Sequence, residues 1–516
     1  MKQSNVEKGI FWSALAIVAA LVIPVLFNPK QGTAVLGDLH HLIAKSLSSI
    51  YLWSVVVALG FLMWLAFSKY GKIKFGEPDT KPEFSTFSWL AMLFTAGIGA
   101  SITYWSAIEW AYYYTEPPFG AQPKTIQAAD WAATYGLFHW GFSAWVLYCL
   151  PALPIAYNLY VRKNSSVKLS AACGGVLKKG ENGWIGKSID VFFMVGLVGG
   201  IGAALGLGLP LISEGISNLF HITRTSTLDI TLIVILTLIF CVSTYFGLKK
   251  GLKRLANINT YLFLALSAFV LLAGPTLFII SRFTDSVGIL LQNFFRMSFY
   301  TDSIAHSGFP EAWTVFYWAW WITCAPYMGI FVAKISKGRT IRQVIFAECI
   351  GGTIGCWTAF SIFGNTGLYF ELHKLVPVID ILEKKGGEAA IAAIYQGLPG
   401  GNIALLVIVI ITLIFLSATL DSSSYTLASA ASKTLSLDGE PARWHKIFWA
   451  FVIELVAFSM MFGGGLHALQ SVVVITSVPL ILIMAMAAIS LVKWIKEDQI
   501  KKEVEIYNEQ TSKRSS

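Results

Sequence analysis

Charged residues are scarce in this chain. Asp, Glu, Lys and Arg make up 13% of its 516 residues while 55% are hydrophobic, and with a mean hydropathy of +0.64 there is too little polar surface to cover a water-soluble fold. Cysteine is sparse too. Cys149, Cys241, Cys324, Cys349 and Cys356 sit in apolar segments and Cys173 in a basic loop. No pair has metal-ligand spacing and no disulfide framework is visible, so they read as small apolar residues. Soluble-enzyme signatures are missing. In GENGWIGKS, Gly180 stands one residue too early for a phosphate-binding loop ending in Gly186, Lys187 and Ser188, and no strand precedes it. Glycines 199, 200, 202, 206 and 208 lie inside an apolar run, where close helix packing accounts for them better than a nucleotide fingerprint does. There is no zinc-protease signature and no nucleophile elbow. ATP-driven transport by this chain alone is not expected, and the chain is expected not to be an enzyme.

What is present is a series of twelve apolar segments long enough to span about 30 Å of hydrocarbon. They lie near 10–27, 50–68, 88–112, 132–160, 190–219, 228–247, 259–281, 312–333, 343–369, 402–427, 446–465 and 470–492. The first lacks a small-residue cleavage site and reads as a span. An even number of spans puts both termini on one side. With that side cytoplasmic, 29 Lys and Arg fall inside and 9 outside, as the positive-inside rule requires. An all-α, multi-pass protein of the cell's inner (plasma) membrane is expected. The net charge of +9 follows from this topology and the anionic leaflet, and needs no nucleic acid partner.

Residues 1–87 comprise the cytoplasmic amino terminus and two leading spans. Gly97-Ile98-Gly99 in the third span, and Pro326 with Gly329 in the eighth, are helix-breaking residues at the start of two blocks of five spans. That is the pattern of inverted repeats with broken first members, 88–281 and 312–492; glycine at close helix contacts is the alternative, and the corresponding positions in two equal blocks favour the repeat. Between the blocks, 282–311 contains the amphipathic run Val287 to Phe299, expected to lie at the membrane surface as a linking helix. Residues 493–516 form a charged cytoplasmic tail.

Aromatic residues mark the candidate site. In the run FYWAWW (316–321), Trp313, Tyr317, Trp320 and Trp321 share an arc of about 100° on a helix. Tryptophan normally sits at headgroup level, so a stack reaching the helix middle suggests a cage for a cation that donates no hydrogen bond, held at about 0.5–2 kcal/mol per ring. Packing between helices is the alternative for any single ring. A second cluster, Trp140, Trp145 and Tyr148 in FHWGFSAWVLY, forms a wide curved face that offers half of such a cage. Tyr112, Tyr113 and Tyr114 would close it or form an interfacial belt. Glu109, Glu214, Glu348, Asp421 and Glu454 lie within or at the ends of apolar segments, where an ionised group costs at least about 2.5 kcal/mol unless paired or hydrated. Ser417, Thr419 and Asp421 offer oxygens of the kind that Na⁺ or a proton relay uses, or simply bond back to the helix.

These residues resemble the betaine/carnitine/choline transporters over nearly all twelve spans. The resemblance rests on GFPEAWTVFYWAWW (308–321), KISKGRTIR (334–342), FHWGFSAWVLY (138–148) and TDSVGILL (284–291). It implies two inverted five-helix repeats behind two leading helices, and a homotrimer. IEWAYYYTEPPFG (108–120) and SYTLA (424–428) are most similar to the sodium-independent carnitine/γ-butyrobetaine exchanger. By that resemblance Tyr112, Trp140, Trp145 and Trp320 form the aromatic box with Trp321 beside it, and Met328 sits by the substrate carboxylate. Cys324 stands where the exchanger has tyrosine, Asn259 where it has arginine, and Gly199 and Ala203 where sodium-coupled relatives have threonine. Loss of the arginine opens a place that Ser417, Thr419 and the carbonyls near Ala96 to Ile98 could fill with Na⁺. The resemblance therefore implies a secondary transporter of a quaternary-ammonium zwitterion working by alternating access as an antiporter, with no cofactor other than a possible Na⁺. Symport with sodium is the alternative; a channel and a receptor are readings of another class, and the short tail argues against the receptor.

Overall fold

The computed structural model describes residues 6–96, 99–177, 180–246, 249–433 and 439–515. Nearly all of them are helical. In chain order the helices are α1 (Lys8–Phe27), α2 (Pro29–Phe67), α3 (Thr86–Ala96), α4 (Ala100–Thr115), α5 (Ile126–His139), α6 (Phe142–Tyr160), the single turn α7 (Leu169–Ala172), α8 (Trp184–Phe220), α9 (Ser226–Phe246) and α10 (Lys249–Ala273). They continue with α11 (Thr276–Ser298), α12 (Phe316–Ile335), α13 (Ile341–Ala359), α14 (Asn365–Leu372), α15 (Val378–Lys385), α16 (Gly387–Gln396), α17 (Gly401–Ala430), α18 (Arg443–Gly463) and α19 (Gly465–Ser515). Among the described residues nine helical stretches are long and apolar enough to cross a membrane, and eleven if each of two bent pairs counts as one. The chain is an all-α, multi-pass membrane protein.

The breaks have local causes. The α3–α4 pair bends by 55° across a gap that contains Gly97 and Ile98, which lie outside the described residues. The fourth apolar segment, expected as one helix, is interrupted at Trp140 and Gly141. Trp357 donates its indole N–H to the freed Leu137 carbonyl at 2.8 Å, and a side chain at Gly141 would run into Leu137 and Trp357. The break expected at Pro326 and Gly329 is absent, because α12 is continuous through both. Gly329 instead permits close approach to α6, where a Cβ would stand 3.0 Å from the Ala152 nitrogen. The irregularity in this span comes earlier, as a π-helical turn at Pro310–Val315. The linking helix begins earlier than the amphipathic run suggests. Pro275 has no N–H to continue α10, and the chain turns through 106° there to start α11 at Thr276. Arg282 of α11 then pairs with Asp130 of α5 at 2.7 Å. The charged tail is not a separate piece but the end of α19.

The packing centre is formed by α6 against α12 and by α8 against α17, α18 and α19. The glycines of α8 make this possible: a Cβ at Gly200 would stand 2.6 Å from Thr323 Oγ1 and 2.8 Å from Cys324 Sγ. At one end of the bundle the KISKGRTIR segment is tied down. Gly338 N–H donates to the Phe75 carbonyl at 2.7 Å, Phe75 N–H to that of Arg339 at 2.8 Å, and Arg339 reaches the Phe84 carbonyl and Thr86 at the start of α3.

Candidate functional site

The two aromatic runs meet. Trp321 of α12 is the meeting point, with ring centroids 5.4 Å from Trp140, 5.7 Å from Trp145 and 4.5 Å from Tyr148. Trp320 lies on the other side, stacked over Tyr317 at 6.5 Å with an 18° tilt between planes. Together these rings line a cavity of about 250 Å³, near the lower end for small-molecule sites. Of the expected substrate residues, Trp140, Trp145, Tyr148, Trp320, Trp321, Cys324 and Met328 all line it.

Polar groups fix the ring positions. Trp320 donates its N–H to the Gly200 carbonyl at 3.0 Å, the backbone group that close packing of α8 brings within reach. Glu109, fully buried, accepts from Trp140 Nε1 at 2.9 Å, Tyr317 Oη at 2.5 Å and Tyr113 Oη at 2.7 Å. His139 continues this network, bonded to Tyr113 Oη at 2.9 Å and to Thr314 at 3.1 Å. One acid thus anchors a ring from each half of the cage, Trp140 and Tyr317, in a buried place where an unsatisfied carboxyl is costly.

Tyr112 does not join the cage. It stands eleven residues beyond Ser101, about 16 Å further along α4, and lines a separate pocket with Tyr104, Arg224 and Glu388. Its hydroxyl bonds to Tyr104 at 3.4 Å and its ring packs on Trp313 at 5.1 Å. Trp313 likewise lies away from the cavity, and Tyr113 turns toward Glu109. Between the two pockets lies Trp105, fully buried and packed within 6.4 Å of Trp313, Tyr317 and Trp320. The sequence reading passed over Trp105, which follows Tyr104 directly in the run SITYWSAIEW (101–110) but has no aromatic residue three or four positions from it to mark a helical stripe. It also passed over Tyr327, which lines the cavity and bonds Ser422 at 2.6 Å. Tyr327 is seven residues past Trp320 and so returns to the same face within about 20°, a signal that was present.

The candidate ion residues are dispersed. Ala96 and Thr419 line the far end of the cavity beside Thr95 and Ser422. Ser417 bonds back to the Leu413 carbonyl at 2.8 Å, Asp421 is not among the lining residues, and Ile98 lies outside the described residues. Asn259 donates to the Ile411 carbonyl at 3.1 Å, eight residues and about 12 Å along α17 from Thr419. Gly199 faces Thr476 of α19 rather than the cavity. The other membrane acids are apart from the cage as well: Glu214 holds Asn218 at 2.9 Å, Glu454 accepts from Thr237 at 2.6 Å, and Glu348 is buried with no oxygen or nitrogen partner among the described residues.

No charged side chain lines the cavity among the described residues. Its aromatic end suits a cation with methyl-covered charge, and its far end offers hydroxyls of Thr95, Thr419, Ser422 and Tyr327. Comparison with known proteins agrees. The sequence model described as betaine/carnitine/choline family transporter matches residues 9–500. An uncharacterised transporter of Escherichia coli (strain K12), YeaV, is 35% identical over 445 residues, covering 86% of this chain and 92% of its own. A protein of Acinetobacter baumannii (strain ATCC 19606) named as a carnitine transporter is 35% identical over 446 residues, covering 86% of this chain and 81% of its own. The chain is a membrane transporter, not an enzyme, and belongs to the betaine/carnitine/choline transporter family.

Proposed function

We propose that this chain moves a small quaternary-ammonium zwitterion of the carnitine, γ-butyrobetaine or glycine betaine class by alternating access, exchanging one such compound for another. The observation that carries the reading is the uncharged cavity bounded by Trp140, Trp145, Trp320 and Trp321. A trimethylammonium group lies against those rings, and its carboxylate reaches toward Met328 and the hydroxyls at the far end. The name of the Acinetobacter relative supports a carnitine-type cargo. In this reading twelve spans form two inverted repeats, the termini are cytoplasmic in the inner membrane, and three copies assemble. The repeats rock about the cage to open it to either side.

A sodium-coupled reading draws on Thr95, Thr419 and Ser422 at the cavity end near Ala96, oxygens of the hard type a Na⁺ prefers. Uptake of labelled carnitine into proteoliposomes separates the two. Exchange predicts uptake that needs internal γ-butyrobetaine and ignores a Na⁺ gradient; the opposite pattern overturns exchange in favour of symport, and uptake that never saturates indicates a channel.

A further inference from the structure

A second cavity lies on the outside of the bundle. It is a groove of about 830 Å³ between α2, α6 and α19, more than three times the volume of the aromatic cavity. Trp53 and Phe61 of α2, Leu150 of α6, Ile322 of α12 and Ile489 of α19 line it, and Lys493 and Lys496 stand at one end. Trp53 and Ile489 are more than half exposed, at 56% and 51%.

We infer that this groove is a site for one anionic phospholipid, its acyl chain lying along α2 and α19 and its phosphate held by Lys493 and Lys496. Three observations support this. The first is length: from Ile481 to Lys496 is fifteen residues, about 22 Å of helix, which covers one leaflet's share of the hydrocarbon and reaches the headgroups. The second is direction. His40 bonds Ser471 and Tyr51 bonds Ser477, so α2 and α19 run the same way and the lysines fall beside the terminal turns of α2, at the rim of its apolar stretch. The third is charge. Lys493 and Lys496 share a helix face and make no ion pair with a described residue, whereas the neighbouring acids Glu497 and Asp498 are taken by Arg162 at 3.0 and 3.1 Å. Two free ammonium groups closing an apolar slot match a lipid with an anionic headgroup, each lysine favouring it as juxtamembrane cations do. The inner wall of the groove is also the reverse side of the cage helices, since Leu147 and Ile322 lie next in sequence to Tyr148 and Trp321.

The test uses the full chain in mild detergent, offered equal amounts of phosphatidylglycerol and phosphatidylcholine, with bound lipid counted by native mass spectrometry. Wild type should retain phosphatidylglycerol in preference. The Lys493→Gln/Lys496→Gln variant, substituted only at exposed positions, should lose that preference by about tenfold or more with an unchanged melting temperature. Ile489→Trp, which fills the slot, should lower retention of both lipids. Equal retention of the two lipids by wild type, or an unaltered preference in the double variant, overturns the proposal. So does cross-linking of Ile489→Cys to a second copy in a lipid-free oligomer, which would make the groove a subunit contact.

Discussion

At the scale of single residues, the cage divides into rings that touch the cavity and groups that hold those rings. Replacing Trp320 or Trp321 by Ala removes one cation–π face and should raise the carnitine Kd by about threefold to thirtyfold, measured by calorimetry, while Trp313→Ala should change it far less because Trp313 is not at the cavity. An equal effect of all three would show that the rings act by packing alone. Glu109 is a positioning residue with three donors converging on it. Glu109→Ala strands those donors at about 1–3 kcal/mol each, so both melting temperature and affinity should drop, and Glu109→Gln should recover part of each. A Glu109→Ala protein with wild-type affinity would exclude this role. Cys324 interrupts the ring stripe because α8 is too near: the site of a Gly200 Cβ is 2.8 Å from its sulfur. Cys324→Trp should therefore lower the melting temperature rather than extend the cage. The sequence could identify Trp320 and Trp321 from their place on one helix, and Trp140 and Trp145 from their nearness in the chain, although the break at Trp140 and Gly141 removes the single-helix relation between those two. It could not separate Tyr112 from them, since depth along two different helices is a tertiary relation.

At the scale of elements, small residues decide where helices break and where they touch. Gly141 ends one apolar segment's regularity although it looks ordinary in a membrane helix, because Trp357 from α13 captures the Leu137 carbonyl. Gly141→Val should collide with that indole and lower thermal stability by more than Gly60→Val, whose Cβ meets nothing within 4 Å. Pro326, which looks like a break, is absorbed into α12, since a proline removes one hydrogen bond and neighbouring helices can hold the rest. Beyond Trp105 at the other end of the site, Arg224 clasps Asp229 at 3.2 Å and Glu388 at 2.9 Å. This ties the loop after α8 to the start of α16, across the pocket that holds Tyr112. Arg224→Ala should release that tie and raise the labelling rate of a cysteine placed at Tyr104. Unchanged labelling would mean the cluster does not close that side.

At the scale of the whole molecule, the arrangement puts an uncharged aromatic cavity at the centre of a helical bundle whose surface is apolar. With both termini cytoplasmic, a membrane-impermeant thiol reagent applied to intact cells should miss single cysteines placed at Lys8 and Lys501 in a chain freed of its six native cysteines and label one at Glu383. Labelling at Lys8 or Lys501 would reverse the orientation. The sequence by itself determined the class of molecule, because hydrophobicity, charge bias and aromatic spacing are additive along a chain and need no knowledge of neighbours. It also marked most of the cage, since i, i+3, i+4 and i+7 relations are set by helix geometry alone. Only the tertiary structure decided the rest: that Glu109 bridges the two halves, that Trp105 packs against rings of both pockets, that Tyr112 stands apart and that the ion candidates scatter. Each of these depends on which residues of different helices are packed at the same depth, and the periodicity along a single segment does not carry that relation.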